Sequence, residues 1–141
     1  MTNLKYKRWQ LSRIKRALKL RRVLILSGPR QCGKTTLAKE FASKSTIYRT
    51  LDDTTLFESA LSDPRGFVKH DDELMIIDEV QRAPDLLKAI KQSVDVNQTP
   101  GRFLLTGSTN IQSLPGVNES LAGRVKKIRL RPLAIGEIDN K

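Results

Sequence analysis

The chain has little of the residue chemistry on which several common kinds of functional site depend. Its 141 residues include one cysteine, Cys32, and one histidine, His70. A single cysteine can form no disulfide within the chain, which agrees with a reducing compartment. A single histidine cannot supply a multi-histidine metal site. We therefore exclude an internal disulfide framework and a metal site of the multi-histidine kind.

Long apolar segments are also absent from the sequence. The longest apolar runs, Val23 to Leu26 and Leu74 to Ile77, are far shorter than the roughly 20 residues that a membrane-spanning helix needs. The basic N-terminus lacks the uninterrupted apolar stretch and the small-residue cleavage site of a secretory signal. We expect a chain that neither crosses a membrane nor is exported, and therefore a cytoplasmic location.

The composition is typical of one folded domain. Hydrophobic residues make up 38% of the chain and charged residues 29%, which separates it from disordered and fibrous sequences. A chain of this length can remove well over half of its unfolded surface from water, but it does not accommodate two full domains. The sequence therefore predicts a single core.

Positive charge is concentrated in two segments. The formal net charge is +11, yet residues 1–22 hold nine Lys or Arg and no acid, and Val125 to Arg131 hold four more. Such segments attract nucleic-acid phosphates without reading base sequence. They are also typical of an ordinary solvated surface, and only Tyr6 and Trp9 are nearby as aromatic stacking groups. A nucleic-acid partner and a solvated basic surface both remain hypotheses.

Hydrophobic periodicity predicts strands that alternate with helices. The predicted strands are Val23 to Leu26, Thr46 to Leu51, Glu73 to Ile77, Arg102 to Thr106 and Arg124 to Leu130. The predicted helices are Lys5 to Arg22, Lys34 to Ser43, one capped by Asp52 or Asp53 and broken at Asp63-Pro64-Arg65-Gly66, and one with Pro84 and Asp85 in its first turn. This alternation predicts an α/β fold, with a parallel sheet between helices in three α/β/α layers.

A glycine-rich turn follows the first strand and matches the P-loop pattern. Residues 28–35 read Gly-Pro-Arg-Gln-Cys-Gly-Lys-Thr, between a predicted strand and a predicted helix. In such a loop, successive backbone N–H groups and the helix N-terminus surround phosphate oxygens. Lys34 is expected to neutralise the β- and γ-phosphates, and the Thr35 hydroxyl to coordinate Mg²⁺. The predicted phosphate-binding residues are Gly28, Pro29, Arg30, Gln31, Cys32, Gly33, Lys34, Thr35 and Thr36.

Two adjacent acids end the third predicted strand. Asp78 and Glu79 follow the apolar run Leu74 to Ile77, and ligands of α/β sheets bind at this carboxyl edge. Asp78 is expected to hold magnesium through water, and Glu79 to accept a proton from the attacking water. The alternative for Glu79 is a solvated loop acid or a helix cap. Gln81 either touches this site or begins the next helix.

A polar cluster follows the fourth predicted strand. Gly107-Ser108-Thr109-Asn110 can reach a γ-phosphate if this strand lies between the first and the third. Ser108 or Asn110 is then placed to orient the attacking water, although such residues also form ordinary turns. Arg124, just before the fifth strand, is a candidate arginine finger for a neighbouring subunit, because its planar fork suits a phosphate. Its alternative is one more residue of the basic segment.

These motifs, in this order, resemble the prokaryotic AAA-type ATPases of the AAA fourteen group. The resemblance rests on the P-loop, Asp78-Glu79-Val80-Gln81-Arg82, the polar Gly-Ser-Thr-Asn segment and Leu121-Ala-Gly-Arg124. It implies a five-stranded sheet in the order 5-1-4-3-2 and an ATP site between subunits of a homo-oligomer. We divide the chain into a basic amphipathic helix (1–19), an AAA-type core (20–137) and a truncated tail (138–141), because family members usually continue into a further helical region and a C-terminal domain.

The sequence thus predicts ATP binding and magnesium-dependent ATP hydrolysis, with ATP and Mg²⁺ as cofactors. A GTPase is disfavoured because no Asn-Lys-X-Asp guanine motif occurs. The alternative is a nucleotide-regulated DNA- or protein-binding module with little or no turnover. Replacing Glu79 distinguishes the two, since only a hydrolase has turnover to lose.

Overall fold

The computed structural model describes residues 2–28, 38–40, 46–70, 73–107 and 125–129, and for residues 2–10 it describes the backbone alone. Its strands are β1 (Val23–Ser27), β2 (Ile47–Thr50), β3 (Met75–Asp78), β4 (Phe103–Gly107) and β5 (Val125–Arg129). Its helices are α1 (Thr2–Leu20), α2 (Thr54–Ser62), α3 (Pro64–Val68) and α4 (Leu86–Val96), with a 3₁₀ turn at Val80–Arg82 and helical residues at Ala38 and Lys39. The predicted helix at Lys34 to Ser43 otherwise lies outside the described residues.

The five strands form one parallel sheet in the order β2-β3-β4-β1-β5. This order is the predicted 5-1-4-3-2 read from the other edge, so the predicted topology is confirmed. Strand β4 pairs with β1 on one side and with β3 on the other. After β1 the chain crosses to β2 at the far edge of the sheet and then returns through β3 to β4. Ligands of such sheets bind at the carboxyl ends of the strands where the order reverses.

Helices cover both faces of the sheet, because successive strand residues point to opposite sides. One face carries Val23, Ile25, Met75, Ile77, Phe103 and Leu105, and packs against α2, α3 and α4. The other face carries Leu24, Leu26, Ile76, Leu104 and Ile128, and packs against Ala38 and the α1 residues Ile14 and Ala17. All these side chains are buried. The predicted three-layer α/β/α sandwich is confirmed.

The structure decides one open boundary and changes two others. Of the two predicted capping residues, Asp53 caps α2, because its carboxylate accepts a hydrogen bond of 3.0 Å from the Leu56 N–H. At the end of that helix, Asp63 caps the new helix α3, which begins at Pro64 and which the sequence did not predict. The helix expected to begin near Pro84 begins at Leu86, two residues later, with Asp85 as its N-cap residue.

A buried arginine, Arg102, lies at the amino end of β4 and contacts neighbouring segments of the chain. Arg102 is 1% exposed, and its guanidinium donates hydrogen bonds to the Asn97 carbonyl (3.1 Å), the Ser93 hydroxyl (2.9 Å) and the His70 carbonyl (3.4 Å). The His70 ring lies edge-on to the Phe103 ring, with 4.8 Å between the ring centres. These contacts join the end of α4 to the amino edge of the sheet, away from the carboxyl edge.

Among the described helices, none combines the length and the apolarity that crossing a bilayer requires. The boundaries proposed for the helix at 1–19, the core at 20–137 and the tail at 138–141 stay predictions.

Candidate functional site

Three strands end together at the carboxyl edge of the sheet. Gly28 follows β1 and donates a backbone hydrogen bond of 3.3 Å to the carbonyl of Gly107, the last residue of β4. Asp78 is the last residue of β3, on the other side of β4. Because neighbouring strands lie about 4.8 Å apart, the ends of β1 and β3 are separated by about 10 Å, and the end of β4 lies between them.

Asp78 is a buried carboxylate surrounded by hydroxyl groups. It is 4% exposed. Its Oδ2 accepts hydrogen bonds from the Tyr48 hydroxyl (3.2 Å) and the Thr50 hydroxyl (3.3 Å), and its Oδ1 accepts one from the Thr106 hydroxyl. The strand register explains the cluster, because Thr50 is the direct β2 partner of Asp78 and the pairing of Ile77 with Leu105 puts Thr106 beside it on β4. These hydrogen bonds fix the orientation of the Asp78 carboxylate.

Tyr48 is held in its protonated form by the same cluster. Burial and then the negative charge of Asp78 raise the pKa of the Tyr48 phenol well above its usual value of 10.0, and the hydrogen bond to Asp78 and the charges of Asp52 and Glu79 add to the effect. The Lys39 ammonium lies 5.6 Å from the centre of the ring. The phenol therefore remains a hydrogen-bond donor to Asp78 throughout the physiological pH range.

Glu79 turns the chain out of β3 in a conformation that few residues other than glycine adopt. Its φ is 62° and its ψ is 45°, in the left-handed region, where a side chain costs about 1–2 kcal/mol. Its N–H donates to the Thr106 hydroxyl (3.1 Å), and Gln81 donates from Nε2 to its carboxylate (3.4 Å). Strain of this kind clusters at functional sites. Gln81 thus touches Glu79 and lies within the 3₁₀ turn that Val80 begins.

The donor set suits a hydrated hard cation better than a fully protein-coordinated ion. Within the ranges that the structure describes, no group of three or more His, Cys, Asp or Glu side chains is placed to hold a metal ion. Mg²⁺ typically keeps several waters and uses one or two carboxylates together with substrate phosphates. Asp78, at the end of β3 and beside two threonine hydroxyls, fits that requirement. A structural zinc site would need four protein ligands.

The described residues bring together only part of the predicted site. Gly28, Asp78 and Glu79 lie at one edge of the sheet, as expected from the strand order. The remaining predicted residues lie outside the described residues: Pro29, Arg30, Gln31, Cys32, Gly33, Lys34, Thr35, Thr36, Ser108, Asn110 and Arg124. Their roles stay predictions.

Sequence reasoning missed three residues that surround Asp78. Tyr48, Thr50 and Thr106 were predicted only as parts of strands. Their positions carried a signal, because Thr50 and Thr106 stand at the carboxyl ends of the two strands that flank β3. Tyr48 lies two residues before Thr50 and so shares its face. Hydroxyl side chains at this edge of neighbouring strands indicate partners for a strand-end carboxylate.

Two mycobacterial proteins are similar to the chain in sequence. Uncharacterized protein Rv2008c of Mycobacterium tuberculosis and uncharacterized protein Mb2031c of Mycobacterium bovis are each 38% identical to it over 128 residues. The alignment covers 90% of this chain and 29% of each relative. The chain therefore spans less than a third of the length of the curated relatives that it matches.

Solved structures resemble the fold at lower sequence identity. AMPPCP-bound DnaA from Aquifex aeolicus superposes with a TM-score of 0.59 at 21% identity, over 87% of this chain and 46% of that one. A DNA replication initiation factor gives a TM-score of 0.53 at 17% identity, over 88% of this chain and 44% of that one. Both likenesses show the P-loop NTPase α/β fold. The sequence model of an AAA domain matches residues 20–139, and the chain therefore belongs to the AAA-type P-loop ATPases of the AAA fourteen group.

Proposed function

We propose that the chain binds ATP and hydrolyses it with the help of Mg²⁺. The observation that carries this proposal is that Asp78 and Glu79 lie at the carboxyl edge of the sheet, with one strand, β4, between them and the first glycine of the P-loop. Asp78 is buried there and accepts hydrogen bonds from three hydroxyl groups, and the backbone N–H of Glu79 donates to Thr106. This spacing leaves room for a triphosphate between the loop and the two acids.

The phosphate contacts are proposed for the segment Gly28 to Thr36. Its glycines allow backbone N–H groups to face phosphate oxygens, and Lys34 supplies a positive charge to the β- and γ-phosphates. Thr36 either packs or contacts the α-phosphate, and Cys32 acts as a small spacer in the loop. Support comes from the motif itself and from its position directly after β1.

Asp78 and Thr35 are the residues proposed to hold Mg²⁺, Asp78 through water and Thr35 through its hydroxyl. When bound, Mg²⁺ neutralises charge on the β- and γ-phosphate oxygens. The hydroxyl groups of Thr50, Thr106 and Tyr48 would hold the Asp78 carboxylate in one orientation. A carboxylate held in this way can orient metal-bound water.

Glu79 is proposed as the general base. Its carboxylate would accept a proton from the water that attacks the γ-phosphate, while Ser108 or Asn110 orients that water. The hydrogen bonds from Gln81 to the carboxylate and from the Glu79 N–H to Thr106 fix the position of this residue at both ends. General-base action of this kind contributes about 10²–10⁴-fold to a rate.

Two further proposals concern assembly and location. Arg124 would act as an arginine finger on a neighbouring subunit's γ-phosphate, which requires a homo-oligomer. We propose a cytoplasmic location, where ATP and Mg²⁺ are available.

The second candidate is a nucleotide-regulated DNA- or protein-binding module with little turnover. A basic groove between α1 and β5 favours this alternative. The candidates differ in one measurable quantity, because a binding switch needs occupancy of the ATP site and a hydrolase needs turnover as well.

The first experiment is thermal unfolding with and without Mg²⁺-ATP. A ligand that binds only the folded chain at 100 times its Kd stabilises it by about 2.7 kcal/mol, so we expect a higher Tm for the parent chain. A Lys34→Ala variant is the control and is expected to show no such rise. An unchanged Tm in the parent chain would contradict ATP binding and with it the whole proposal.

Turnover is then measured with Glu79→Gln as the matched variant. The two side chains have nearly the same shape, so we expect retained Mg²⁺-ATP stabilisation and a rate of phosphate release about 10²–10⁴-fold lower. Negligible release by a parent chain that binds ATP would instead support the nucleotide-regulated module.

A further inference from the structure

A groove separate from the carboxyl edge lies between α1 and β5. It has a volume of about 280 Å³. The described residues that line it are Arg13, Arg16, Ala17, Leu20, Arg21, Lys126 and Ile128. Ala17 and Ile128 are buried and form its base, whereas Arg16, Arg21 and Lys126 are exposed and Arg13 is half-buried. Cationic side chains therefore border the groove above an apolar base.

Its charge has one sign over the whole described lining. Four of the seven described lining residues are Arg or Lys, and none of the seven is acidic. Clustered Lys and Arg side chains attract polyanions electrostatically. The arrangement therefore fits an anion that extends along the groove.

Few apolar side chains of this face remain free to anchor a lipid or a peptide. Within residues 11–20 of α1, Ile14 and Ala17 are buried in the core, and Leu11 and Leu18 pack against it. Only Leu20, at 73% exposure, is a large apolar side chain open to solvent there. Helices that lie on membranes need a continuous apolar face, and bound peptides use apolar pockets or strand pairing. The groove supplies charge instead.

The spacing of the cations matches a nucleic-acid backbone. From Arg13 to Arg21 the helix rises about 12 Å at 1.5 Å per residue. Over that length, one strand of a duplex presents three to four phosphates at about 3.4 Å per phosphate. The regular phosphate spacing of a duplex backbone therefore fits this row of cations.

We propose that the α1–β5 groove binds the phosphodiester backbone of a nucleic-acid duplex without sequence preference. The four cations Arg13, Arg16, Arg21 and Lys126 would each neutralise about one phosphate, which predicts non-specific binding with a Kd of about 10⁻⁴–10⁻⁶ M at physiological salt. The site uses none of the residues assigned to ATP. Failure of either proposal therefore leaves the other standing.

The test is fluorescence anisotropy of a labelled DNA duplex of about 20 base pairs, titrated at several salt concentrations. Each neutralised phosphate contributes about −0.9 to the slope of log K against log salt, so four groove cations contribute about −3.6. The groove variant combines Arg16→Gln, Arg21→Gln and Lys126→Gln. We expect its slope to be shallower by about 2.7 and its affinity at low salt to fall at least tenfold.

A matched control distinguishes the effect of removing charges from the groove from the effect of lowering the net charge of the chain. Arg65→Gln, Lys69→Gln and Lys88→Gln remove the same three charges from exposed residues on the opposite face of the sheet, and this variant is expected to keep the parent slope. A second variant, Arg16→Lys with Arg21→Lys, preserves charge and is also expected to keep it. Thermal unfolding checks that each variant folds.

Three outcomes would overturn the proposal. Equal losses of affinity in the groove variant and its control would assign binding to net charge alone. If polyglutamate competes for the groove as well as unlabelled duplex does, the ligand is an acidic peptide. If the chain binds vesicles of anionic lipid more tightly than the duplex, the ligand is a membrane surface.

Discussion

The hydroxyl of Thr106 donates a hydrogen bond to the carboxylate of Asp78 across the pair of strands β3 and β4. The same oxygen accepts a hydrogen bond from the backbone N–H of Glu79. One side chain thus fixes both acids, the first through its carboxylate and the second through its backbone. Because Thr106 is fully buried, water does not replace it easily.

Replacing Thr106 with valine should destabilise the fold and impair the site together. The shape is nearly unchanged, but a buried carboxylate and a buried N–H each lose a partner. A buried polar group without its partner costs about 1–3 kcal/mol. We expect Thr106→Val to lower the free energy of unfolding by about 2 kcal/mol, measured by urea denaturation, and to lower phosphate release from ATP.

Thr106→Ser is the control, since it keeps the hydroxyl and loses only a methyl group. We expect it to retain most of the parent's phosphate release. If valine and serine behave alike, the hydroxyl has no role in holding the two acids.

Tyr48 should resist ionisation at alkaline pH. Its pKa is raised by burial first and by Asp78 second. The folded chain therefore keeps this proton at a pH where the unfolded chain releases it. The contribution of Tyr48 to stability is thus complete below about pH 10 and is lost as the pH rises above that value. Compared with the parent, Tyr48→Phe should lose less stability over that alkaline range.

The ionisation itself can be observed directly. The chain has two tyrosines, so in a Tyr6→Phe variant the ultraviolet absorbance of tyrosinate reports Tyr48 alone. We expect little tyrosinate at pH 10 in the folded chain and about half ionisation in urea. Half ionisation of the folded chain at pH 10 would show that Asp78 does not hold the phenol.

Apolar patterning was sufficient to predict the α/β layers, because the central strands are buried on both faces, whereas the strand order was implied by the family resemblance. Val23 to Leu26 is a continuous apolar run bounded by a glycine turn, and such runs are typical of parallel strands under two layers of helices. The helix α3 could not be predicted in this way. Pro64 and Gly66 were interpreted as a break, but Pro64 occupies the first turn of a new helix, which the hydrogen bond from the Gly66 N–H to the Asp63 side chain (3.1 Å) caps.

The sequence predicted the site residues that belong to a motif, but not those that strand pairing brings to the site. Asp78 and Glu79 were identified from their position after an apolar run. Tyr48 and Thr50 lie 28 and more positions away in sequence, and their contact with Asp78 depends on β2 pairing with β3 in one particular register. Neither strand order nor register can be read from local periodicity alone.

Arg102 should matter for stability and not for the site. Its guanidinium is 1% exposed and donates to three oxygens at the amino edge of the sheet. Methionine has a similar length but leaves those acceptors unpaired, at about 1–3 kcal/mol for each that stays buried. We expect Arg102→Met to lower the free energy of unfolding by at least about 2 kcal/mol in urea, with unchanged phosphate release per folded molecule.

The exposed Arg65→Met is the control for Arg102 and should change stability by less than about 0.5 kcal/mol. A loss of turnover in Arg102→Met below its unfolding transition would mean that the two edges of β4 are coupled.

The Glu79 side chain should lower the stability of the fold although it is needed for turnover, because its backbone has the left-handed conformation with a φ of 62°. The comparison is between Glu79→Gly and Glu79→Ala, which both remove the carboxylate and its contact with Gln81. Only glycine adopts this conformation without strain, so we expect the glycine variant to be more stable than the alanine variant by about 1 kcal/mol in urea denaturation. Both should lose phosphate release and keep Mg²⁺-ATP stabilisation. If the alanine variant is as stable as the glycine variant, the chain leaves the left-handed conformation once the carboxylate is removed. The strain would then depend on the Glu79 side chain and not on the hydrogen bond from its N–H to Thr106.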